Sequence, residues 1–473
     1  MSAAFDAAGL QGNILRGYRR LRVRHLVLEV VDRVAARNWL RATVSGQHGD
    51  APQITSEAPW ASKPDTCFNI GLTFDGLRAL GTPAASLNTF PNEFAAGMHT
   101  RAVKLGDTGP SAPHHWATPF DDPTRVHLIA SVYADESAHL DSVQKRVVAG
   151  GGGRAFRLRG ARDGWNFDGD TVHFGYRDNI SQPRFAGIHD PERYPDAQPM
   201  APLGTVLLGQ PNAFEGLMWR VPQPELLGMN GSFNAFRILA QDVAGFEAYL
   251  DTAASQLLLH PNVGELLPPG AETAIGPGFS RHAALREVLA AKMCGRWRNG
   301  VPLVLSPGTP DPGRKLSLTD FDYDRDYDGT GCPYGAHIRR CNPRGGTIVQ
   351  RVANHTRRLV RRGAPYGPPY DPANPDHEER GLLGNFLGAN LGAQFEAVTC
   401  DWLNLGLQDP RITGSNDPLL GANEPEDSWF NIPIPSGGTI RLRGLPRFVR
   451  TRGGAYTFLP SIPAIRYLAS LSG

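Results

Sequence analysis

Residues 25–31 are largely apolar and partly β-branched, and Val34, Ala35, Trp39 and Leu40 then recur at helical spacing, which predicts a strand running into a helix over 33–44. The pattern returns at 68–74, followed by a short helix at 76–80, and again at 126–132, followed by a longer helix at 136–148. Two such strand–helix halves make a split βαβ, ferredoxin-like layer. A second set follows downstream, with strands at 231–239 and 381–389 and helices at 243–257 and 394–403. The pattern therefore predicts two similar α+β lobes. Between them, 210–229 carries Pro211, Pro222 and Pro224 with no clean period. This segment reads as the linker and sets the boundary near residue 225, with lobes at 1–225 and 226–473.

Length and composition narrow the class. A chain of 473 residues can bury an extensive apolar interior, either as two or three domains or as one bilobed unit. Its 48 basic and 46 acidic residues nearly cancel, so the overall charge gives no reason to expect a nucleic acid or another polyanion as partner. Gly and Pro are abundant but below the level of disorder, which predicts a compact, loop-rich fold. The five cysteines, Cys67, Cys294, Cys332, Cys341 and Cys400, are odd in number and widely scattered. That spacing argues for free thiols and a reducing compartment rather than a disulfide framework. No apolar run reaches membrane-spanning length, and Arg19-Arg20 runs into a charged strand rather than an apolar leader, so the expectation is a soluble, cytoplasmic protein.

Candidate chemistry concentrates in three segments. One is His337-Ile338-Arg339-Arg340-Cys341-Asn342-Pro343-Arg344, another is Arg361-Arg362-Gly363-Ala364-Pro365-Tyr366-Gly367, and far upstream lies Phe174-Gly175-Tyr176-Arg177-Asp178-Asn179-Ile180-Ser181-Gln182-Pro183. An imidazole on one side of a haem iron, with an acid/base and a fixed positive charge on the other, is the minimum equipment for splitting a peroxide O–O bond. Arginine binds carboxylates bidentately, so Arg339, Arg340 and Arg344 beside His337 suit a ligand with two propionates. Gly175 and Asn179 tolerate left-handed backbone angles and would let a tight turn project Asp178 inward. Arg361 keeps its proton at any working pH. Each residue also has a plainer use: His337 as a hydrogen-bonded structural histidine, Asp178 as a turn or cap residue, and the arginines as a solvated cluster. Zinc held by Cys332, His337 and Cys341, completed by Cys400 or His355, is a further alternative. The acidic run 320–328 invites calcium but lacks the spacing of a calcium loop.

In these segments the chain resembles the dye-decolorizing peroxidase family. The matching pieces are Leu10-Gln11-Gly12-Asn13-Ile14-Leu15-Arg16-Gly17, the Asp178 loop, the His337 run, the Arg361 run, and Glu379-Arg380-Gly381-Leu382-Leu383 leading to Gln394-Phe395-Glu396. They fall in family order along nearly the whole chain. The resemblance implies two ferredoxin-like lobes of the dimeric α+β barrel type, each an antiparallel sheet with packed helices. Haem b would sit in the carboxy-terminal lobe, and the amino-terminal lobe would carry the distal aspartate. It implies His337 as proximal iron ligand, Asp178 as distal acid/base and Arg361 as its partner. Arg339, Arg344, Leu383 and Phe386 would border the cofactor, and Glu396 is the candidate for the acid that hydrogen-bonds His337. Two departures stand out. Asn179 replaces the second glycine of the Gly-x-x-Asp-Gly motif, and Gly384-Asn385 stands where the family carries a bulky aromatic, leaving Phe386 to swing in or the pocket more open.

The activity this implies is reduction of hydrogen peroxide coupled to one-electron oxidation of aromatic donors, dyes and phenolics, by a ferryl-porphyrin radical. A non-catalytic haem-binding or iron-handling protein is the alternative. Bulky donors would be oxidised through Tyr334, Tyr366, Trp402 or Trp429 near the surface. Hydrogen peroxide and aromatic donors are the expected partners, with no nucleic acid and no membrane, and homo-oligomer formation stays open.

Overall fold

Two ferredoxin-like units share one sheet. In the computed structural model, which describes residues 6–47, 49, 51–190, 192, 198–213, 218–345 and 355–472, the first unit comprises β1 (Arg22–Val30), β2 (Thr66–Leu72), β3 (Leu128–Ala134) and β4 (Phe156–Trp165). The second comprises β5 (Ser232–Gln241), β6 (Val360–Arg361), β7 (Ala364–Tyr366) and β8 (Gly381–Gly388). A separate hairpin, β9 (Trp429–Pro433) and β10 (Thr439–Arg443), precedes β11 (Val449–Leu459), which returns to the large sheet as the last strand of the second unit. The strand order is β4-β1-β3-β2-β11-β5-β8-β6, with β7 also paired to β8, and the pairings are antiparallel.

Both blocks repeat one spatial order, in which the last strand of the unit lies beside the first, then the third, then the second. They meet where β11 pairs with β2 at Phe458 and Leu72. Among the described residues the sheet is thus continuous and open, and it does not close into a barrel. The helices Arg33–Thr43, Ser137–Val148 and Val243–Leu257 follow β1, β3 and β5 as their apolar spacing predicts, and the first and third start on Asp32 and Asp242 side-chain caps. The segment expected as a helix at 394–403 is longer, Leu391–Asn404, and is wound with π-type hydrogen bonding. Six of these strands were not expected, the short β6, β7, β9 and β10 and the longer β4 and β11. In β4, Arg157, Arg159, Arg162 and Asp163 interrupt the apolar residues, and β11 contains Gly453-Gly454 beside a register shift, so neither shows an apolar run.

The expected linker 210–229 is irregular apart from the turn of helix Glu225–Gly228, and its residues 214–217 lie outside the described residues. Among the described residues no helix is long and apolar enough to cross a membrane. One apolar core packs around the first unit and its junction with β5 and β11, and a second packs around the helices Val243–Leu257 and Arg281–Cys294. Phe386 of β8 packs against both, so β8 lies at the meeting point of the two cores.

Candidate active site

A cavity of about 360 Å³ opens at that meeting point, and His337, Asp178, Arg361, Arg344, Leu383 and Phe386 all line it. Its size falls within the range of small-molecule and cofactor sites.

The Asp178 segment reaches the cavity by the turn its sequence predicts. Gly175 has φ +79° and Asn179 φ +58°. A Cβ at Gly175 would stand 2.7 Å from Arg298 Nη1, so the position takes glycine both for its backbone angle and for the close approach. The Asp178 amide donates to the Asp170 carbonyl at 2.8 Å. Beyond the turn, the Gln182 side chain both accepts from the Arg361 amide (3.0 Å) and donates to the Arg361 carbonyl (2.9 Å). Arg361 Nη2 donates to the Ser181 carbonyl at 2.8 Å. A loop from the first unit is thereby fastened to β6 of the second, and Asp178 and Arg361 share one cavity wall.

His337 opens the short helix His337–Cys341. Its Nδ1 lies 3.0 Å from Oδ2 of Asp417, a fully buried residue whose Oδ1 accepts the amides of Leu419 (2.9 Å) and Leu420 (2.8 Å). Burial pushes the Asp417 carboxyl up, but His337, Arg340 and the Leu420 amide outweigh it and hold it below its ordinary value. Burial likewise works against a charged His337, and Cys341 and Asp417 overcome it and hold the imidazole well above its ordinary value. The acid that orients His337 is therefore Asp417. Glu396 is elsewhere: it takes a bidentate pair from Arg101 (2.8 and 2.5 Å) and a hydrogen bond from the Tyr456 hydroxyl (3.0 Å).

The arginines beside His337 divide. Arg344 lines the cavity, with its guanidinium over the Phe321 ring and donating to the Thr319 and Phe321 carbonyls. Arg339 turns away, paired with Asp326 (2.9 Å) and stacked on Tyr323 and Tyr334, so it does not border the cavity as expected. Arg340 is fully buried on the carbonyls of Gly335, Trp402 and Ser415, and burial pushes it down to about 10. Arg177, Arg357 and Arg358 also line the cavity; they supply cations that the reading of the His337 run alone missed.

Phe386 resolves the departure at Gly384. A Cβ on Gly384 would lie 2.6 Å from Cε2 and 2.9 Å from Cζ of Phe386, so the Phe386 ring occupies the space a larger residue at 384 would fill. The two positions lie on the same face of β8.

The metal alternatives lack their ligand sets. No group of three or more His, Cys, Asp or Glu placed to hold a metal occurs among the described residues. Cys341 is near His337 (Sγ to Nε2 3.8 Å), but Cys332 is buried with its Sγ toward the Pro333 carbonyl, and all five cysteines are free. Within the acidic run, Asp326 is spent on Arg339 and on the Gly331 and Cys332 amides. Of the four residues expected as surface oxidation points, Tyr334, Tyr366 and Trp402 are buried and Trp429 is half-buried.

The site fits a cofactor that carries its own metal donors. Asp417 occupies Nδ1 of His337 and leaves Nε2 for a metal, yet the described residues provide no set of further protein ligands. The walls combine apolar side chains with arginines suited to carboxylates. Fold and site together define an α+β protein with a cavity at its core junction lined by a histidine whose Nε2 is left free to take a metal.

Known proteins resemble this chain over almost their full length. The chain is 28% identical over 503 residues to Peroxidase 2 of Mycetinis scorodonius, spanning 99% of this chain and 89% of that protein. It is 29% identical over 510 residues to a dye-decolorizing peroxidase of Mycena epipterygia, spanning 99% and 88%. Among solved structures, a dye-decolorizing peroxidase in complex with 2,6-dimethoxyphenol matches with a TM-score of 0.80 at 28% identity, over 98% of this chain and 100% of that one. A fungal DyP-type peroxidase from Auricularia auricula-judae matches with a TM-score of 0.80 at 25% identity, over 99% and 100%. No family model matches the chain. In sequence and in fold the chain is thus similar to dye-decolorizing peroxidases over nearly its whole length.

Proposed function

We propose that the protein is a haem b peroxidase that reduces hydrogen peroxide and draws electrons one at a time from aromatic donors such as phenols and dyes, with His337 as iron ligand, Asp178 as acid/base and Arg361 as fixed charge. The observation that carries this reading is the single cavity lined by His337, itself hydrogen-bonded to Asp417, and by the coupled Asp178 and Arg361 segments.

Haem b, when bound, supplies an iron that takes up peroxide and a conjugated ring that accepts donor electrons. The chain's own groups do the rest. Asp417 holds the His337 ring in one orientation and strengthens Nε2 as a donor. The Asp178 carboxylate takes a proton from hydrogen peroxide and returns it to the departing oxygen, which leaves as water. The Arg361 guanidinium, steadied by the Ser181 carbonyl, offsets the negative charge that gathers on that oxygen. Arg344, with Arg177 and Arg358, offers cations for the propionates, and Leu383 and Phe386 offer apolar surface to the ring.

Two supporting assignments go with this. The lobes divide near residue 225, with 1–225 contributing the Asp178 loop and 226–473 contributing His337, Arg361 and Asp417. The location is cytoplasmic, supported by five free cysteines.

Steady-state oxidation of 2,6-dimethoxyphenol by purified, haem-loaded protein tests the proposal. Peroxide-dependent turnover is expected, and a loaded protein that consumes neither peroxide nor donor would contradict it.

A further inference from the structure

The peroxide chemistry leaves Glu396 without a task, yet the surroundings of this carboxylate are built. It is fully buried, ion-paired to Arg101, within 3.5 Å of Lys104, and receives the hydroxyl of Tyr456, itself only 2% exposed, at 3.0 Å. Aromatic rings connect this pair to the cavity. Phe386 and Phe395 both line it and lie 5.5 Å apart between centroids, and Phe395 meets Tyr456 edge-on at 6.1 Å.

We propose that Tyr456 is an intramolecular electron donor to the peroxide-oxidised cofactor, with Glu396 as the acceptor of its phenolic proton. This rests on the haem reading above. In the step, Tyr456 loses one electron to the cofactor, its O–H bond breaks, and the proton bonds to Glu396 Oε1. The products are a neutral phenoxyl radical, a protonated Glu396 and a cofactor reduced by one electron. An electron from an aromatic donor, with return of the Glu396 proton, restores the tyrosine.

The chemistry selects this tyrosine over its neighbours. A phenol that loses an electron becomes a strong acid, so a carboxylate already hydrogen-bonded to its hydroxyl eases the oxidation. Burial raises the Glu396 carboxyl, but Arg101, the Tyr456 hydroxyl and Lys104 outweigh it and hold it below its ordinary value, so it faces the phenol as a carboxylate. Tyr334 is placed the opposite way, with Arg411 at 3.3 Å and Arg339 at 4.5 Å from its ring centroid. Two fixed cations on the ring oppose removal of an electron. Tyr366 also donates to a carboxylate, Glu379 at 3.1 Å, but the ring contacts from the cavity lead to Tyr456.

Freeze-quench electron paramagnetic resonance of the haem-loaded protein, mixed with one equivalent of peroxide and no donor, tests this. A tyrosyl signal that narrows when the protein carries ring-deuterated tyrosine is expected. Tyr456→Phe should lose that signal at least tenfold while keeping the Soret band and the initial optical response to peroxide. Glu396→Gln should lower its yield, and Glu396→Asp should restore part of it. An undiminished signal in Tyr456→Phe, or no tyrosine signal in a parent protein whose optical response is intact, overturns the inference alone. A parent protein without a Soret band overturns the haem reading and this inference with it.

Discussion

Nδ1 of His337 meets Oδ2 of Asp417 at 3.0 Å across 80 positions of sequence, and the second oxygen of the same carboxylate is fixed by the Leu419 and Leu420 amides. Both oxygens of a buried acid are thus committed, and the imidazole has one orientation. A carboxylate behind a metal-ligating histidine raises its basicity and fixes its tautomer.

Replacing that acid should weaken the site without emptying the fold. Asp417→Asn is expected to lower haem affinity or the rate of peroxide cleavage by about 10- to 100-fold, the usual cost of losing such a partner. Haem titration followed at the Soret band, with stopped-flow mixing, measures both. Parental affinity and rate would show that His337 does not depend on Asp417.

Asp178→Asn and Arg361→Leu are expected to keep haem and slow peroxide cleavage by a factor on the order of 10² or more. Single-turnover kinetics against peroxide concentration separate this step from binding. If both variants react at the parental rate, the roles given to these residues are wrong.

The Phe386 ring and residue 384 compete for one space. Gly384→Phe should therefore lower stability by about 1–3 kcal/mol, the usual cost of overfilling a packed site, and the pair Gly384→Phe with Phe386→Gly should recover part of it. Thermal unfolding of the single and double variants decides this, and additive losses would mean that the two positions do not share that volume.

Glu57 gives a pH signature at the other end of the chain. Its Oε1 accepts the amides of Leu15 (2.6 Å) and Arg16 (2.9 Å), and burial lifts its carboxyl from 4.5 to about 7. The folded state thus binds this proton more tightly than the unfolded chain does. The stabilisation is complete below pH 4.5 and is lost as pH rises through about 7. Its size is about 3 kcal/mol, from roughly 1.36 kcal/mol per unit. Glu57→Gln should flatten the melting-temperature profile across that window, and an unchanged slope would assign the pH dependence elsewhere.

Much of this was legible from residue types in order. Apolar runs marked β1, β2, β3, β5 and β8 because each buries a nearly continuous face. β4 and β11 escaped because arginines in one and paired glycines in the other interrupt the apolar signal, so the fourth strand of each unit emerged only through pairing. Gly175 and Asn179 pointed to the Asp178 turn because few residues accept those backbone angles. Asp417 gave no signal, since an aspartate after Ser415-Asn416 reads as an ordinary turn. The misplacement of Arg339 and Glu396 has one cause: which side of a helix faces the cavity is decided by what packs around it, here Asp326 for one and Arg101 with Tyr456 for the other.

The most direct measurement is the absorption spectrum of the protein reconstituted with haem, beside His337→Ala, before and after one equivalent of peroxide. A Soret band in the parent that shifts on peroxide addition, and is lost or displaced in His337→Ala, is the expected result. A protein that takes up no haem, or a Soret band and peroxide response that persist unchanged without His337, would contradict the account.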